Sequence, residues 1–455
     1  MLIVTSTSLL TDRMLAYSGA LDDLEAVVWA SSSGSLDDAW ESSQFRVEPF
    51  PEIAPDPYWP VSVLSRLNDM VWETQTKTPS RVRPRRDGYL YFRNNLTRVL
   101  LPAAKPLGWT RQGVRVQQRV RTRVAAELVD SAICTRLGEC GATAVFIMNP
   151  FSRLERVVAV STQSLGLPVC ALIPSWDNIS TKQKMLLDYD HYFVWSHTAV
   201  GELDQYYPEI DLADVTVVGA PQFDVFWNPH FEEPKAVWCR RHGLHPDRAT
   251  IVYAVGSPNF LDEVPGAVFV AEQLVGGAFG DAQMIVRPHP IHDRQELVGV
   301  FDRFGERVRV QSFDIATDHV IGRSQSSADV QDWVSTFRHA DVVVNLCSTV
   351  SIDAAIAGTP VVNLAFDAAP GAPRAELIRA INQKWTHFAP VAASGGLWQA
   401  YDFEDLVAGI RTYLGYPARD AAKRLTMAES VIGPIDGRAG LRLNQALRAH
   451  CHPDH

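Results

Sequence analysis

The chain has no apolar run long enough to cross a bilayer as a helix, which needs about 18 to 20 consecutive residues. It has six cysteines in 455 residues and no Cys-x-x-Cys pair. A zinc knuckle and a small disulfide scaffold are therefore excluded as readings, and a reducing cytosol is the compartment the cysteine usage suggests. No GxxxxGK followed by Ser or Thr is present, and no GxGxxG, GxSxG or HExxH, so four common catalytic and nucleotide-binding signatures are missing. The first residues, Met1 to Ser8, carry no basic leader and read as a strand rather than a secretory signal. Positive charge is in deficit, with a net of -10, which argues against a nucleic-acid partner.

What is present is ordinary globular material: 46% hydrophobic and 21% charged residues. The length allows two or three domains. Short β-rich runs alternate with helical patterns, the mark of parallel α/β sheets. Strands are expected at Leu2–Ser6, Ala26–Ala30, Phe45–Val47, Ala144–Met148, Val169–Ile173, Tyr192–Trp195 and Val215–Val218. A second series starts at Ile251–Val255 and continues at Met284–Val286, Val308–Val310, Val342–Asn345 and Val361–Leu364. These predict two doubly wound Rossmann-like domains, 1–225 and 236–416, facing a central cleft. A helical insertion at about 60–140 interrupts the first domain, 220–235 links the two, and 417–455 forms a helical tail.

Charge is unevenly spread. Residues 81–123 hold twelve Lys and Arg residues and one acid, Asp87, interleaved with Tyr89, Tyr91, Phe92, Leu100, Leu101 and Trp109. Such a stretch can dock on an anionic membrane surface, face a phosphorylated acceptor, or form a solvated face offset by acids elsewhere.

Three segments carry chemistry, each following an apolar strand, where ligands of open α/β sheets bind. Asp341 to Pro360 (DVVVNLCSTVSIDAAIAGTP) reads strand, turn, helix, glycine and next strand. Ser348, Thr349 and Ser351 sit where free N–H groups and hydroxyls suit phosphate, and Asp353 lies a turn further on, placed to accept from ribose hydroxyls. The alternative is a plain N-cap and a helix aspartate. Met284 to Pro290 (MIVRPHP) brings Arg287 and His289 to a strand end. Arg287 suits a phosphate in fork geometry, and His289 suits a phosphate oxygen or a leaving diphosphate. Ile173 to Lys182 (IPSWDNISTK) offers Trp176 for stacking, Asp177 as a general base, and Asn178, Ser180, Thr181 and Lys182 for hydroxyls or phosphate. It reads equally as an Asx-turn capping a helix. Gly256-Ser257 follows the first strand of the second domain, where it approaches a phosphate or simply turns. Asp188-Tyr-Asp190 has a metal-site spacing but precedes its strand, at the end away from the cleft. Asp436-Gly-Arg438, His292, His319 and the terminal Cys-His-Pro-Asp-His are weaker candidates.

These residues resemble the donor-binding half of a GT-B glycosyltransferase. Asp353 stands five before Gly358-Thr-Pro360, as the ribose-binding acid does in that fold. His289-Pro290 and Ser348-Thr349 are similar to the HP and Ser-Ser/Thr motifs of CDP-glycerol glycerophosphotransferases and of bacterial sialyl- and Kdo-type transferases. Val218-Gly-Ala-Pro221 resembles the Gly-x-Pro closing the first GT-B domain. Ser175-Trp-Asp-Asn178 and Asp436-Gly-x-Ala439 resemble elements of surface-polysaccharide glycosyltransferases. The glycine-rich acceptor loop that many such enzymes carry is missing from residues 1–20.

The resemblance implies a metal-independent, cofactor-free glycosyltransferase moving a sugar from a nucleotide sugar to a cell-envelope glycan or lipid-linked acceptor, inside the cell and at the inner face of its membrane. Gly256, Ser257, Arg287, His289, Ser348, Thr349, Ser351 and Asp353 would hold the donor. Trp176, Asn178 and Lys182 would face the acceptor, and Asp177 and His289 would be catalytic. Rival readings on the same fold are a CDP-glycerol-type polyol-phosphate transferase, a UDP-sugar 2-epimerase-like isomerase and a non-catalytic nucleotide-sugar-binding protein.

Overall fold

Runs of β-branched and aliphatic residues such as Leu2–Ser6, Thr250–Ala254 and Val342–Asn345 are buried on both faces, as strands covered by helices on each side must be. The computed structural model describes residues 1–6, 12–30, 46–53, 59–81, 106–108, 110–258, 260–289, 292–312 and 326–451. Its strands form two sheets, seven-stranded in the order β3-β2-β1-β4-β5-β6-β7 and six-stranded in the order β10-β9-β8-β11-β12-β13. In the first, β1 is Leu2–Ser6, β2 Ala26–Ala30, β3 Arg46–Pro49, β4 Ala144–Ile147, β5 Val169–Leu172, β6 His191–Val194 and β7 Val215–Val217. In the second, β8 is Thr250–Ala254, β9 Gln283–Arg287, β10 Val308–Val310, β11 Val342–Asn345, β12 Val361–Leu364 and β13 Trp398–Ala400. Every pairing is parallel. The fold is the expected pair of doubly wound α/β sheets.

The strand β13 was not anticipated. It is three residues long and only partly apolar, and it is fixed by pairing with β12 rather than by its own pattern. Helices Trp59–Thr76, Arg111–Glu127 and Ser131–Glu139 supply the insertion in the first unit.

Strand order reverses between β1 and β4 in one sheet and between β8 and β11 in the other. At these switch points the connections leave on opposite faces and open a crevice at the carboxyl ends.

The final helices bind the halves together. Helix Ala421–Ile432 lies against the second unit, with Met427 and Ile432 in its core. Helix Ala439–His450 returns to the first, where Leu443 and Leu447 join a cluster with Val4, Phe146 and Phe193. Asp224 accepts from the Ala439 and Gly440 N–H groups and so caps this helix. A disulfide links Cys170 on β5 to Cys451, a pairing the cysteine spacing did not suggest.

Residues 82–105, with most of the basic stretch, lie outside the described residues, as do Phe45, Trp109, Pro290, His319 and residues 452–455. The described part of the basic stretch contains internal ion pairs. Arg81 meets Glu73 at 2.7 Å, Arg121 meets Asp188 at 2.8 Å, and Arg123 meets Glu127. Among the described residues no helix is long and apolar enough to cross a membrane.

Candidate functional site at the interlobe cleft

A cavity of about 650 Å³ opens between the two sheets. Its walls are the segments that follow β5, β8, β9 and β11, together with Trp385 and His387. Ten of the twelve residues given donor, acceptor or catalytic roles by the resemblance line it: Trp176, Asp177, Lys182, Gly256, Ser257, Arg287, His289, Ser348, Thr349 and Asp353.

The other two do not line it. Ser351 is fully buried and trades hydrogen bonds with Asn345 at 2.9 and 3.2 Å, so its hydroxyl fastens the helix Val350–Ile356 to β11. Asn178 is buried, and its Nδ2 donates to Asp177 Oδ1 at 3.0 Å. Each lies on the inner side of a helical turn, facing the protein.

After β11 the chain turns through Cys347, whose φ of 49° is left-handed. The turn is held by the Cys347 N–H, which donates to Asn363 Oδ1 at 2.7 Å, and by Asn382 Nδ2, which donates to the Cys347 sulfur at 3.0 Å. It presents Ser348 and Thr349 at the cavity. The helix that follows has only seven residues, so the hydroxyls carry more of any anion recognition than the helix dipole does.

Asp353 sits in the next turn, almost fully buried. Burial pushes its carboxyl up to about 7, against the pull of Arg13, Arg287 and a hydrogen bond from Trp333. Arg13 comes from the first unit and lies 4.0 Å over the Trp333 ring.

After β9, Arg287 is anchored by an Nη1 bond to Gln311 Oε1 at 3.2 Å and lies over the Phe337 ring. Part of the guanidinium fork is therefore committed to the protein. Burial lowers His289, with help from His292 and Arg287, so its ring is neutral near pH 7 and offers one N–H. His292 does not line this cavity; its Nε2 is 3.0 Å from the Gly256 carbonyl.

Gly256 proves necessary for a reason other than phosphate approach. Its N–H donates to Glu263 Oε1 at 3.1 Å, and a Cβ on Gly256 would fall 2.2 Å from that oxygen. Glu263 lines the cavity. Burial raises its carboxyl to about 8, although the Gly256 and Leu346 N–H groups favour the charged form. At neutral pH it is a protonated acid and a hydrogen-bond donor.

On the facing wall, Asp177 accepts from Ser175 Oγ at 2.6 Å, Asn178 Nδ2 at 3.0 Å and Thr181 Oγ1 at 3.0 Å. Burial works to raise its carboxyl, but His387, these hydroxyls and Lys182 outweigh it and hold it below its ordinary value. A carboxylate so well satisfied is a weak base. His387 stands edge-on to Trp176, with ring centroids 5.2 Å apart, and 5.6 Å from Trp385. Burial lowers its ring pKa despite the Asp177 charge, so the imidazole is neutral and able to take a proton. Ser80 Oγ lies 3.5 Å from His387 Nδ1 and accepts from the Thr386 N–H at 2.9 Å, which ties the two sheets at the cavity rim.

Arg13, Glu263, Trp333, Trp385 and His387 were not read from the sequence. Glu263 and His387 carry no motif, and only contacts distant in sequence bring them here. The weaker candidates fall elsewhere. Asp188 pairs with Arg121, and Asp190 accepts from the Val169 N–H at 2.7 Å, at the amino edge of the sheet. Asp436 pairs with Arg442 at 2.8 Å and accepts from the Arg438 N–H, bracing the last helix.

No protein-family model and no curated protein sequence matches the chain. Solved structures do match in fold. The S. aureus MnaA–UDP co-structure aligns with a TM-score of 0.55 at 8% identity, over 99% of this chain and 96% of the other. The UDP-GlcNAc 2-epimerase of Neisseria meningitidis bound to UDP-GlcNAc gives 0.53 at 9% identity, over 99% and 100%. That of Methanocaldococcus jannaschii gives 0.52 at 12% identity, over 98% and 99%. The chain is thus similar, along its whole length, to two-domain α/β proteins of GT-B type.

Proposed function

We propose that the chain is a glycosyltransferase that breaks the anomeric C–O bond of a nucleotide-activated sugar at this cleft and passes the sugar to an acceptor hydroxyl. The observation that carries the reading is the convergence of cations, hydroxyls and acids from four strand ends on one cavity between the sheets. The donor diphosphate would lie against Arg287, His289, Ser348 and Thr349, which supply the countercharge and hydrogen-bond donors without a metal ion. Asp353, in its charged form, would accept from the ribose hydroxyls. The acceptor would enter along Trp176 and Lys182.

In the step itself, the acceptor O–H loses its proton to neutral His387 as its oxygen bonds to the anomeric carbon. The bond from that carbon to the phosphate oxygen breaks, and the electron pair leaves with the diphosphate. The Asp177 carboxylate stabilises the imidazolium that forms. His387 thus takes the base role that the sequence suggested for Asp177. Protonated Glu263 is a donor toward the phosphate or the sugar. A cell-envelope glycan or lipid-linked acceptor belongs to the same proposal, supported by the HP and Ser-Thr resemblance and the basic stretch.

One observation favours a second reading, a UDP-sugar 2-epimerase: two of the solved structures compared above are such enzymes. A glycosyltransferase needs an acceptor and an epimerase does not, so the acceptor separates the two readings. The chain incubated with UDP-GlcNAc and no acceptor should not yield a 2-epimer by proton NMR; its appearance would establish the epimerase reading. A thermal-shift panel of CMP, CDP, UDP, GDP and dTDP at millimolar concentration identifies the base. Ligand at about 100 times its Kd stabilises by about 2.7 kcal/mol. No shift with any of the five would remove the nucleotide-sugar reading. His289→Ala should slow nucleotide release at least tenfold with the fold intact by circular dichroism, and an unchanged rate would rule out its leaving-group role.

A further inference from the structure

Glu263 stands just before the helix Val264–Val275, and its side chain turns back to the point where β8 and β11 part. Its carboxyl accepts from the N–H of Gly256, two residues past β8, and from that of Leu346, the first residue past β11. We propose that Glu263 is the positioning residue of the donor site: it fastens the turn after β8 to the turn that presents Ser348 and Thr349, and through that position it regulates anion binding in the cleft. The inference rests on the nucleotide-sugar reading given above.

The first support is where the carboxyl lies. Main-chain N–H groups past the strands of a switch point are ready donors for a ligand anion. Here those of Gly256 and Leu346 are given to a side chain of the protein instead. A donor diphosphate is thereby left to Ser348, Thr349, Arg287 and His289, which line the same cavity.

The second is how closely the carboxyl is held. Glu263 is 4% exposed, and a Cβ on Gly256 would fall 2.2 Å from its Oε1. Only glycine at 256 lets the two approach, so the bond between these turns is a fixed part of the cleft floor.

The third is the charge around it. Tyr253 on β8 and Cys347 past β11 face the carboxyl, both kept neutral by burial, and Asp262 precedes it in the chain. Past β9, His292 is turned to the Gly256 carbonyl, and the charge of Arg287 is answered by Asp332, Asp353 and Asp329. No cation is coupled to Glu263, and burial keeps its proton on up to about pH 8. Above that pH the carboxyl becomes a negative charge in an anion site, which weakens diphosphate binding.

The test is calorimetric titration of the full chain with UDP, and with inorganic pyrophosphate as a probe that carries no base, between pH 7 and pH 9. Wild type should lose at least fivefold in affinity over that range. Glu263→Gln should lose less than twofold, since the amide keeps an acceptor for the Gly256 N–H and cannot ionise. Asp353 and the ligand titrate alike in both proteins, so the difference in slope belongs to residue 263. At pH 7 Glu263→Gln should bind within threefold of wild type. Glu263→Ala, which strips both N–H groups of their acceptor, should bind at least tenfold more weakly. Equal pH slopes in wild type and Glu263→Gln would overturn the proposal, and so would full affinity in a Glu263→Ala variant whose circular dichroism matches wild type. If the alanine variant does not fold, the comparison of slopes decides. Wild type that binds neither probe would remove the donor reading and this inference with it, whereas binding with equal slopes would remove this inference alone.

Discussion

Single side chains decide the chemistry of the cleft through burial. Glu263 is the sharpest case. In an unfolded chain its carboxyl ionises near 4.5, whereas the folded protein holds the proton to about 8. Between those values the folded state binds a proton that the unfolded chain has released, so this group makes stability fall as pH rises and then level off above about 8. Glu263→Gln keeps the shape and removes the ionisation. Its melting temperature should match wild type near pH 4.5 and exceed it by a few degrees at pH 8, reflecting a few kcal/mol of linkage. Equal melting temperatures at both pH values would mean that the carboxyl is charged in the folded protein. Asp353 titrates near neutrality by the same cause. Nucleotide affinity that needs it as an acceptor should therefore climb as pH rises through about 7.

The turn between β11 and the helix Val350–Ile356 shows how an element can be built without the expected residue. A left-handed φ costs a non-glycine residue roughly 1 kcal/mol, and here Cys347 adopts it. Bonds to Asn363 and Asn382 offset that cost and join this turn to β12 and to the helix Ala375–Lys384. Cys347→Gly should hold stability to within about 1 kcal/mol, because relief of the backbone compensates for the lost sulfur contact. Cys347→Val should lose more than that, since a β-branched residue fits left-handed φ worst. Denaturant titration checks both, and a fully stable valine variant would refute the strain argument.

On the scale of the whole molecule, the last helix is a strap. It caps itself on Asp224, sends Asn444 Nδ2 to the carbonyls of Ala20 and Asp22, and buries Leu443 and Leu447 in the first unit. Each buried leucine contributes about 1.5 to 3 kcal/mol. A chain ending at Gly433 should therefore unfold at markedly lower denaturant in the first unit, reported by the fluorescence of Trp29 and Trp72, both buried there. An unchanged midpoint would show that the strap adds nothing.

The sequence by itself determined the strands, because runs rich in β-branched and aliphatic residues leave a contiguous signal, and twelve of the thirteen strands among the described residues fell where that signal stood. It also determined which turns hold the cleft, since residues just past a parallel strand emerge at its carboxyl end. Tertiary structure alone decided the rest. A helix rotates each side chain about 100° from the last, so Ser351 and Asn178, adjacent to cleft residues, turned inward. Glu263, His387 and Arg13 reached the cleft only because separate elements pack around it. The protonation of Glu263 and His387 follows from desolvation and neighbouring charge, which exist only once the chain is folded.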